Sequence, residues 1–330
     1  MKRLTNANAR DLQHAIALAG DARRDGRAVA FAGGGSDLLG MVKDRIIAPD
    51  LVVRLATVRN LDQTTAAAGG LTLGGLMTLD AIGRHADIRR RYAVLAEAAE
   101  TVATPQIRNV GTLAGNICQR PWCWYFRNGF PCYKAGGTQC FSFAGENQFH
   151  AIFGGGPSYI VHPSDTAPAL LALDAEFRIV GPDGERRLQA AEFFVQPRRD
   201  PARENVLADG EVLAAAQLPA PRPGTRSAYH KVMDREAWTH AVVSAAVVLE
   251  MGQGVCRTAR IVLGGVAPIP WRLPEVEKML AGQRITPELA ARAGEIAVAD
   301  ARPLSKNAYK VPMTKAIVER TVLQLAKSEV

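Results

Sequence analysis

The chain has 330 residues, more than one hydrophobic core usually supports, so two or three domains are expected. With 48% hydrophobic and 22% charged residues it has the composition of a globular protein that folds without disulfide staples, and no run approaches the roughly 20 apolar residues of a membrane span. The net charge of +8 lies in small groups such as "IRRRY" (88–92) and "GERRL" (184–188), a solvated surface rather than the dense block that nucleic acid binding uses.

Apolar residues at Leu12, Ile16 and Ala19 predict a helix within 7–24. Ala28 to Phe31 reads as a buried strand that breaks into three glycines before an amphipathic segment from Ser36. A second strand follows in "DLVVRLA" (50–56), then a glycine-bounded strand "GGLTLGG" (69–75) and helical segments over 76–88 and 92–104. Thr, Gly, Asn and Pro crowd 101–117, which predicts loop or tight turn. Residues 150–180 read as strand, turn, helix and strand. The prolines of "LPAPRPGTR" (218–226) mark a boundary, beyond which two β-rich runs (240–265) and three helical segments (275–330) predict an α+β domain.

Three polar turns interrupt this apolar pattern. "AGGGSDLLG" (32–40) sits between strand and helix, where backbone amides converge on an anion. Its spacing matches neither GxGxxG nor a Walker loop, so taken alone a structural turn is an equal reading. "TPQIRNVGTLAGN" (104–116) and "HPSD" (162–165) add small, hydrogen-bonding residues and a carboxylate. Together they suit an extended ligand with pyrophosphate and ribose groups, although three ordinary turns would read the same way.

Four of the five cysteines, Cys118, Cys123, Cys132 and Cys140, fall in "CQRPWCWYFRNGFPCYKAGGTQC" with spacing C-x4-C-x8-C-x7-C. Four thiolates hold either a tetrahedral zinc or an iron–sulfur cluster, and redox disulfides or inert thiols are the remaining readings. The gaps are wider than the paired spacings of structural zinc, and Trp122, Trp124, Tyr125, Phe126 and Phe130 can exclude water while Arg120, Arg127 and Lys134 offset charge. Lone Cys256 reads as a core residue, and His150 and His162 as hydrogen-bonded structural histidines.

"FAGGGSDLL", "QIRNVGTLAGN", "PSDTAPALLALDA", "YHKVMDREAWTHAVVSAAV" and "GGVAPIPWR", in this order over nearly the whole chain, resemble the FAD-binding medium subunit of molybdenum hydroxylases, the xanthine dehydrogenase and carbon monoxide dehydrogenase family. The resemblance implies an α+β fold. A two-subdomain FAD-binding domain of the vanillyl-alcohol-oxidase type would span 1–222, with subdomains about 1–56 and 57–222. A smaller C-terminal domain with an antiparallel sheet and helices would span 223–330. By position it implies that Ala32, Gly33, Gly34, Gly35, Ser36, Asp37 and Leu38 wrap the FAD pyrophosphate. Thr104, Asn109, Gly111, Thr112, Gly115 and Asn116 would line the second flavin loop, Asp165 would contact the adenosine part and Lys231 would stand near the isoalloxazine ring.

Typical members join the second loop closely to the "PSD" segment, whereas 46 residues (117–162) intervene here and carry all four clustered cysteines. The insertion resembles those of the flavin subunits of 4-hydroxybenzoyl-CoA reductase and some bacterial aldehyde oxidoreductases, which implies a four-iron four-sulfur cluster on Cys118, Cys123, Cys132 and Cys140. The implied partners are a large molybdenum-cofactor subunit, a small subunit with two-iron two-sulfur clusters and an external electron acceptor or donor. No nucleic acid is expected. The expected location is cytoplasmic, or periplasmic if a signal-bearing partner carries the chain across. Two other readings stand beside this one: a self-contained flavin oxidase or reductase, and a zinc-stabilised, non-catalytic nucleotide-binding module.

Overall fold

The computed structural model describes residues 3–327. The chain begins with β1 (Thr5–Asn8), α1 (Leu12–Arg24), β2 (Val29–Ala32), α2 (Leu38–Lys43) and β3 (Leu51–Arg54). The strands form a parallel sheet in the order β1-β3-β2. Asp11 caps α1 by accepting from the His14 N–H, and the helix lays Ala15, Ala19 and Ala22 inward, where small residues allow close approach to the sheet.

Next come β4 (Thr64–Ala67), β5 (Gly70–Gly74), α3 (Leu79–Arg84), α4 (Ala86–Arg91), α5 (Ala93–Glu100), α6 (Pro105–Arg108), α7 (Leu113–Ile117) and α8 (Trp124–Arg127). They are followed by α9 (Thr166–Ala172), β6 (Glu176–Gly181), β7 (Gly184–Gln189), α10 (Ala190–Phe193) and β8 (Val212–Leu218). These strands make an antiparallel sheet in the order β4-β5-β8-β6-β7. The chain closes with β9 (Thr225–Val232), β10 (Val243–Gly252), β11 (Val255–Gly264), β12 (Trp271–Arg272), α11 (Pro274–Leu280), α12 (Pro287–Ala297) and α13 (Lys310–Lys327), whose strands form an antiparallel sheet ordered β12-β11-β10-β9.

Strand β10 explains how the parts join. Successive side chains of a strand point to opposite faces. Ala246 and Val248 enter the core shared with α5 and α9, while Ala245, Val247 and Leu249 enter the core beneath α11 to α13. A strand covered on both sides reads as a continuous apolar run, which is how "AVVSAAVVLEM" is written.

Two stretches differ from the sequence expectation. Residues 101–117 are not all turn: Thr104 and Thr112 each cap a single helical turn, accepting from the N–H groups of Ile107 and Gly115. A threonine three residues ahead of a free amide satisfies that donor in place of the missing helical carbonyl. Residues 150–160 form no strand, because their amides pair singly with turns: Ala151 donates to the Tyr159 carbonyl, and Ile152 to the Val266 carbonyl. No helix among the described residues is long and apolar enough to cross a membrane.

Candidate functional site: two flavin loops and a cysteine insertion

The glycine loop leaves β2 at Ala32 and enters α2 at Leu38. Its glycines answer first to another loop. A Cβ at Gly34 would stand 1.7 Å from the Val110 carbonyl oxygen, and one at Gly33 would stand 2.7 Å from Thr112 Oγ1. Gly35 holds φ at +74°, where L side chains are strained. The 32–38 and 110–112 segments therefore lie backbone against backbone.

The insertion grips the same loop. Asp37 accepts from the Arg120 backbone N–H (3.0 Å) and pairs with Arg127 (2.7 Å), whose guanidinium lies 4.3 Å over the Trp122 ring. Further along, Glu204 joins Arg120 (2.9 Å) and the buried Lys134 (3.1 Å), and Lys134 also donates to the Arg203 carbonyl (2.8 Å). Tethers at both ends fix a segment that has little regular structure of its own.

The third turn is held from inside. Asn116 Oδ1 accepts from Ser164 Oγ (2.5 Å) and Thr166 Oγ1 (2.7 Å), which ties α7 to the start of α9. Both carboxylate oxygens of the buried Asp165 are taken: Tyr229 donates its hydroxyl at 2.6 Å and Lys231 its ammonium at 2.8 Å. Lys231 also donates to the carbonyls of Thr101 and Thr239 and is 1% exposed. Burial, followed by the Asp165 charge, pushes the Tyr229 hydroxyl well above its ordinary pKa, so it stays a donor.

These segments enclose a cavity of about 370 Å³. Of the sequence-predicted residues, Ser36, Asp37, Gly111, Thr112, Gly115, Asn116, Asp165 and Cys123 line it. Ala32, Gly33, Gly34, Gly35, Leu38, Thr104, Asn109 and Lys231 do not reach its wall; the glycines hold the loops together, Thr104 caps α6, and Lys231 is occupied by Asp165. Sequence reasoning missed Gln119 from the insertion and Trp238 and His240 from the turn between β9 and β10, while Trp122 and Trp124, read as water-excluding, and His150, read as a structural histidine, also line the wall. The one available signal was the crowding of aromatic residues around the cysteines, with Trp122 and His240 now 5.4 Å apart, centroid to centroid. Burial lowers the pKa of His240. Of the acidic side chains on this wall, Asp37 is paired with Arg127, Asp165 with Lys231 and Glu146 with Lys306, which limits their repulsion of an anionic ligand.

The four clustered cysteines do not behave alike. The 132–140 loop is closed by a bridge between Cys132 and Gln139, with the Tyr133 N–H donating to the Gln139 carbonyl at 3.1 Å, so Cys132 and Cys140 mark its two ends. Cys123 precedes α8 and its thiol is pushed up to about 11, chiefly by burial and further by Cys140 and Cys132. His150 Nε2 lies 3.3 Å from Cys123 Sγ. Cys118 stands apart: it ends α7, packs against the core shared with the C-terminal sheet, and is pushed up to about 12 by burial alone. Among the described residues, no three His, Cys, Asp or Glu side chains are drawn together as a single metal ion requires. Cys256 is a buried thiol in β11, within the core beneath the C-terminal helices.

Residues 3–221 match the family described as the FAD binding domain in molybdopterin dehydrogenase, and residues 228–325 match the CO dehydrogenase flavoprotein C-terminal domain. The aldehyde oxidoreductase FAD-binding subunit PaoB of Escherichia coli is 34% identical over 291 residues, 86% of this chain and 87% of that protein. The carbon monoxide dehydrogenase medium chain of Hydrogenophaga pseudoflava is 27% identical, over 93% of this chain and 92% of its own. In fold, the chain is similar to the reconstituted CO dehydrogenase from Oligotropha carboxidovorans, with a TM-score of 0.78, 23% identity and 98% of both chains covered. This chain therefore belongs to the FAD-binding subunits of the molybdopterin dehydrogenases, with FAD as its cofactor and a CO-dehydrogenase-type C-terminal domain behind the flavin domain.

Proposed function

We propose that this chain is the electron-transfer flavin subunit of a three-subunit molybdenum-cofactor oxidoreductase. In this reading 1–222 is the flavin domain, divided near residue 56, 223–330 is the C-terminal domain, and the 117–162 insertion holds an iron–sulfur cluster. The large partner subunit would carry out the organic reaction, a small two-iron-cluster subunit would relay electrons, and this chain would exchange them with an external acceptor or donor. Bound FAD supplies the interconversion of two-electron and one-electron transfer, and the cluster one-electron steps.

The observation that carries the reading is that Cys123 and His150 of the insertion line the same cavity as Ser36, Asp37, Thr112 and Asn116 of the flavin loops. A cluster ligand in the wall of the flavin cavity puts two redox centres within one short step. The chain's own residues bind and orient: the two loops present backbone amides and small side chains to the pyrophosphate, Arg127 cancels the Asp37 charge beside it, and Trp122 and Trp124 narrow the access of water. Phe130 and Phe141 pack edge to face within the insertion at 5.1 Å, an apolar setting that would limit the access of water to a thiolate-ligated cluster. Cluster assembly requires thiolates, so it displaces the protons that burial now holds on Cys123.

The test is anaerobic purification followed by quantitation of flavin, iron, sulfide and zinc. Flavin and iron are expected together, and Cys132→Ser is expected to lose iron while keeping FAD. Flavin with neither iron nor sulfide after reconstitution would leave a self-contained flavoprotein. Zinc in place of iron would leave the zinc-stabilised module.

A further inference from the structure

We infer that the protein ligands of the cluster are Cys123, Cys132, Cys140 and the imidazole of His150, with Cys118 outside the site. The inference rests on the cluster reading above and deepens it by assigning a mixed sulfur and nitrogen ligand set.

Cys118 is placed for packing. Its N–H donates to the Ala114 carbonyl at the end of α7, its side chain joins the core, and none of the other thiols acts on it. The remaining three are drawn together by the fold: the Cys132–Gln139 bridge brings Cys132 beside Cys140, and Tyr125, two residues beyond Cys123, stacks 6.2 Å from Phe141, the neighbour of Cys140. Their sulfurs are already surrounded by the donors that a thiolate needs. Cys140 Sγ accepts from the Tyr159 N–H at 3.5 Å and meets Ser142 Oγ at 3.1 Å, and the amides of Phe126 and Tyr125 face Cys123.

His150 is the side chain that the fold brings to this group. Its Nε2 touches Cys123 Sγ at 3.3 Å, the ring is 5% exposed, and the ring centroid lies 6.3 Å from that of Tyr125 in the same insertion. The buried Nδ1 has no hydrogen-bond partner, whereas Nε2 faces Cys123 Sγ. With the ring proton on Nδ1, the Nε2 lone pair is directed at the sulfur group, the arrangement in which histidines ligate metals. His150 is held in place from the far side: Asn307 donates to the His150 carbonyl at 3.0 Å, and Asn147 accepts from the Lys306 N–H at 2.9 Å. His150 Nε2 would hold the cluster in place of its present contact with Cys123, and the three cysteines would bind as thiolates, their protons passing to solvent. A neutral imidazole in place of a thiolate removes one negative charge, which raises the reduction potential.

The experiment uses the full chain, anaerobically reconstituted and dithionite-reduced, with pulsed electron paramagnetic resonance for nitrogen coupled to the cluster and iron counted per FAD. Wild type is expected to show strong coupling to an imidazole nitrogen. Cys118→Ser should keep both iron and coupling. His150→Cys should keep iron, lose the coupling and lower the potential, while His150→Ala should lose about a quarter of the iron of a four-iron cluster, or all of it, with FAD retained as the folding control. Iron in wild type without nitrogen coupling, or iron lost in Cys118→Ser and kept in His150→Ala, would overturn the ligand set while leaving the cluster standing. Wild type without iron would overturn the cluster reading itself.

Discussion

The two halves of the cavity wall are built by opposite means. The flavin loops consist of backbone: their key positions are glycines because the carbonyl of Val110 and the hydroxyl of Thr112 leave no room for a Cβ. The insertion consists of side chains, and it is fixed by the pairs Asp37–Arg127 and Glu204–Lys134 and by an aromatic cluster rather than by a ladder of backbone bonds. Backbone contacts tolerate almost no substitution and give little chemistry. Side-chain contacts can be rewritten, which allows a segment of this length to sit beside the glycine loops without disturbing them.

The sharpest way to break this contrast is Gly34→Ala, which drives a methyl group into the Val110 carbonyl. A loss of roughly 3 kcal/mol or more and a fall in FAD per protein are expected, read by thermal unfolding and flavin absorbance. Unchanged flavin content would mean that the loops do not need each other. Next is Asp165→Asn, which leaves the buried Lys231 ammonium without its counter-charge. About 3 to 5 kcal/mol should be lost, and the double variant Asp165→Asn with Lys231→Met should recover part of it. A recovery of zero would show that the pair is not the reason Asp165 is there.

Asp37→Asn tests the seam between the halves, since Arg127 is 8% exposed and would lose its ion pair. A loss of about 2 kcal/mol is expected, less than for Asp165 because Asp37 is more accessible, and it should lower both iron and flavin retention. If only one cofactor responds, the insertion and the loops are independent. The acid limb sharpens the comparison further. Burial holds His162 neutral, its pKa lowered to about 3 from 6.5, so between those values the unfolded chain binds a proton that the native chain refuses. Stability therefore rises with pH across that window and falls as pH drops from 6.5 toward 3, by about 2 kcal/mol at pH 5. Urea titrations of wild type and His162→Phe should differ in slope there, and parallel curves would remove His162 as the cause. The smallest effect is Thr112→Ala, which removes the α7 cap for about 1 kcal/mol. A similar cost from Thr104→Ala, whose residue does not line the cavity, would mark both threonines as caps first.

Much of the fold was readable because periodicity and punctuation act locally. The continuous apolar run of 241–249, the prolines of 218–226 and the helical spacing of Leu12, Ile16 and Ala19 in α1 each announce their element within about ten residues. The capped turns at 105–108 and 113–117 were hidden, because a helix of four or five residues shows no period, and its only signal is a threonine ahead of a free amide. The cavity was half readable. Ser36, Asp37, Gly111, Thr112 and Asp165 lie in turns whose composition marks them, whereas Trp238, His240 and His150 carry no local pattern.

By itself the sequence determined which segments could be helices and strands, that glycine-bearing turns would gather at one site, and the family that matches nearly the whole chain. It could not determine which groups meet across 27 to 90 residues of chain: that Asp37 faces Arg127, that Asp165 answers Lys231, that Cys123 touches His150 while Cys118 turns into the core. Helices and strands are written into neighbouring residues because their bonds are short-range in the chain, but the burial and pairing of charges, thiols and imidazoles depend on which surfaces the packed core brings together, and only the tertiary structure supplies that.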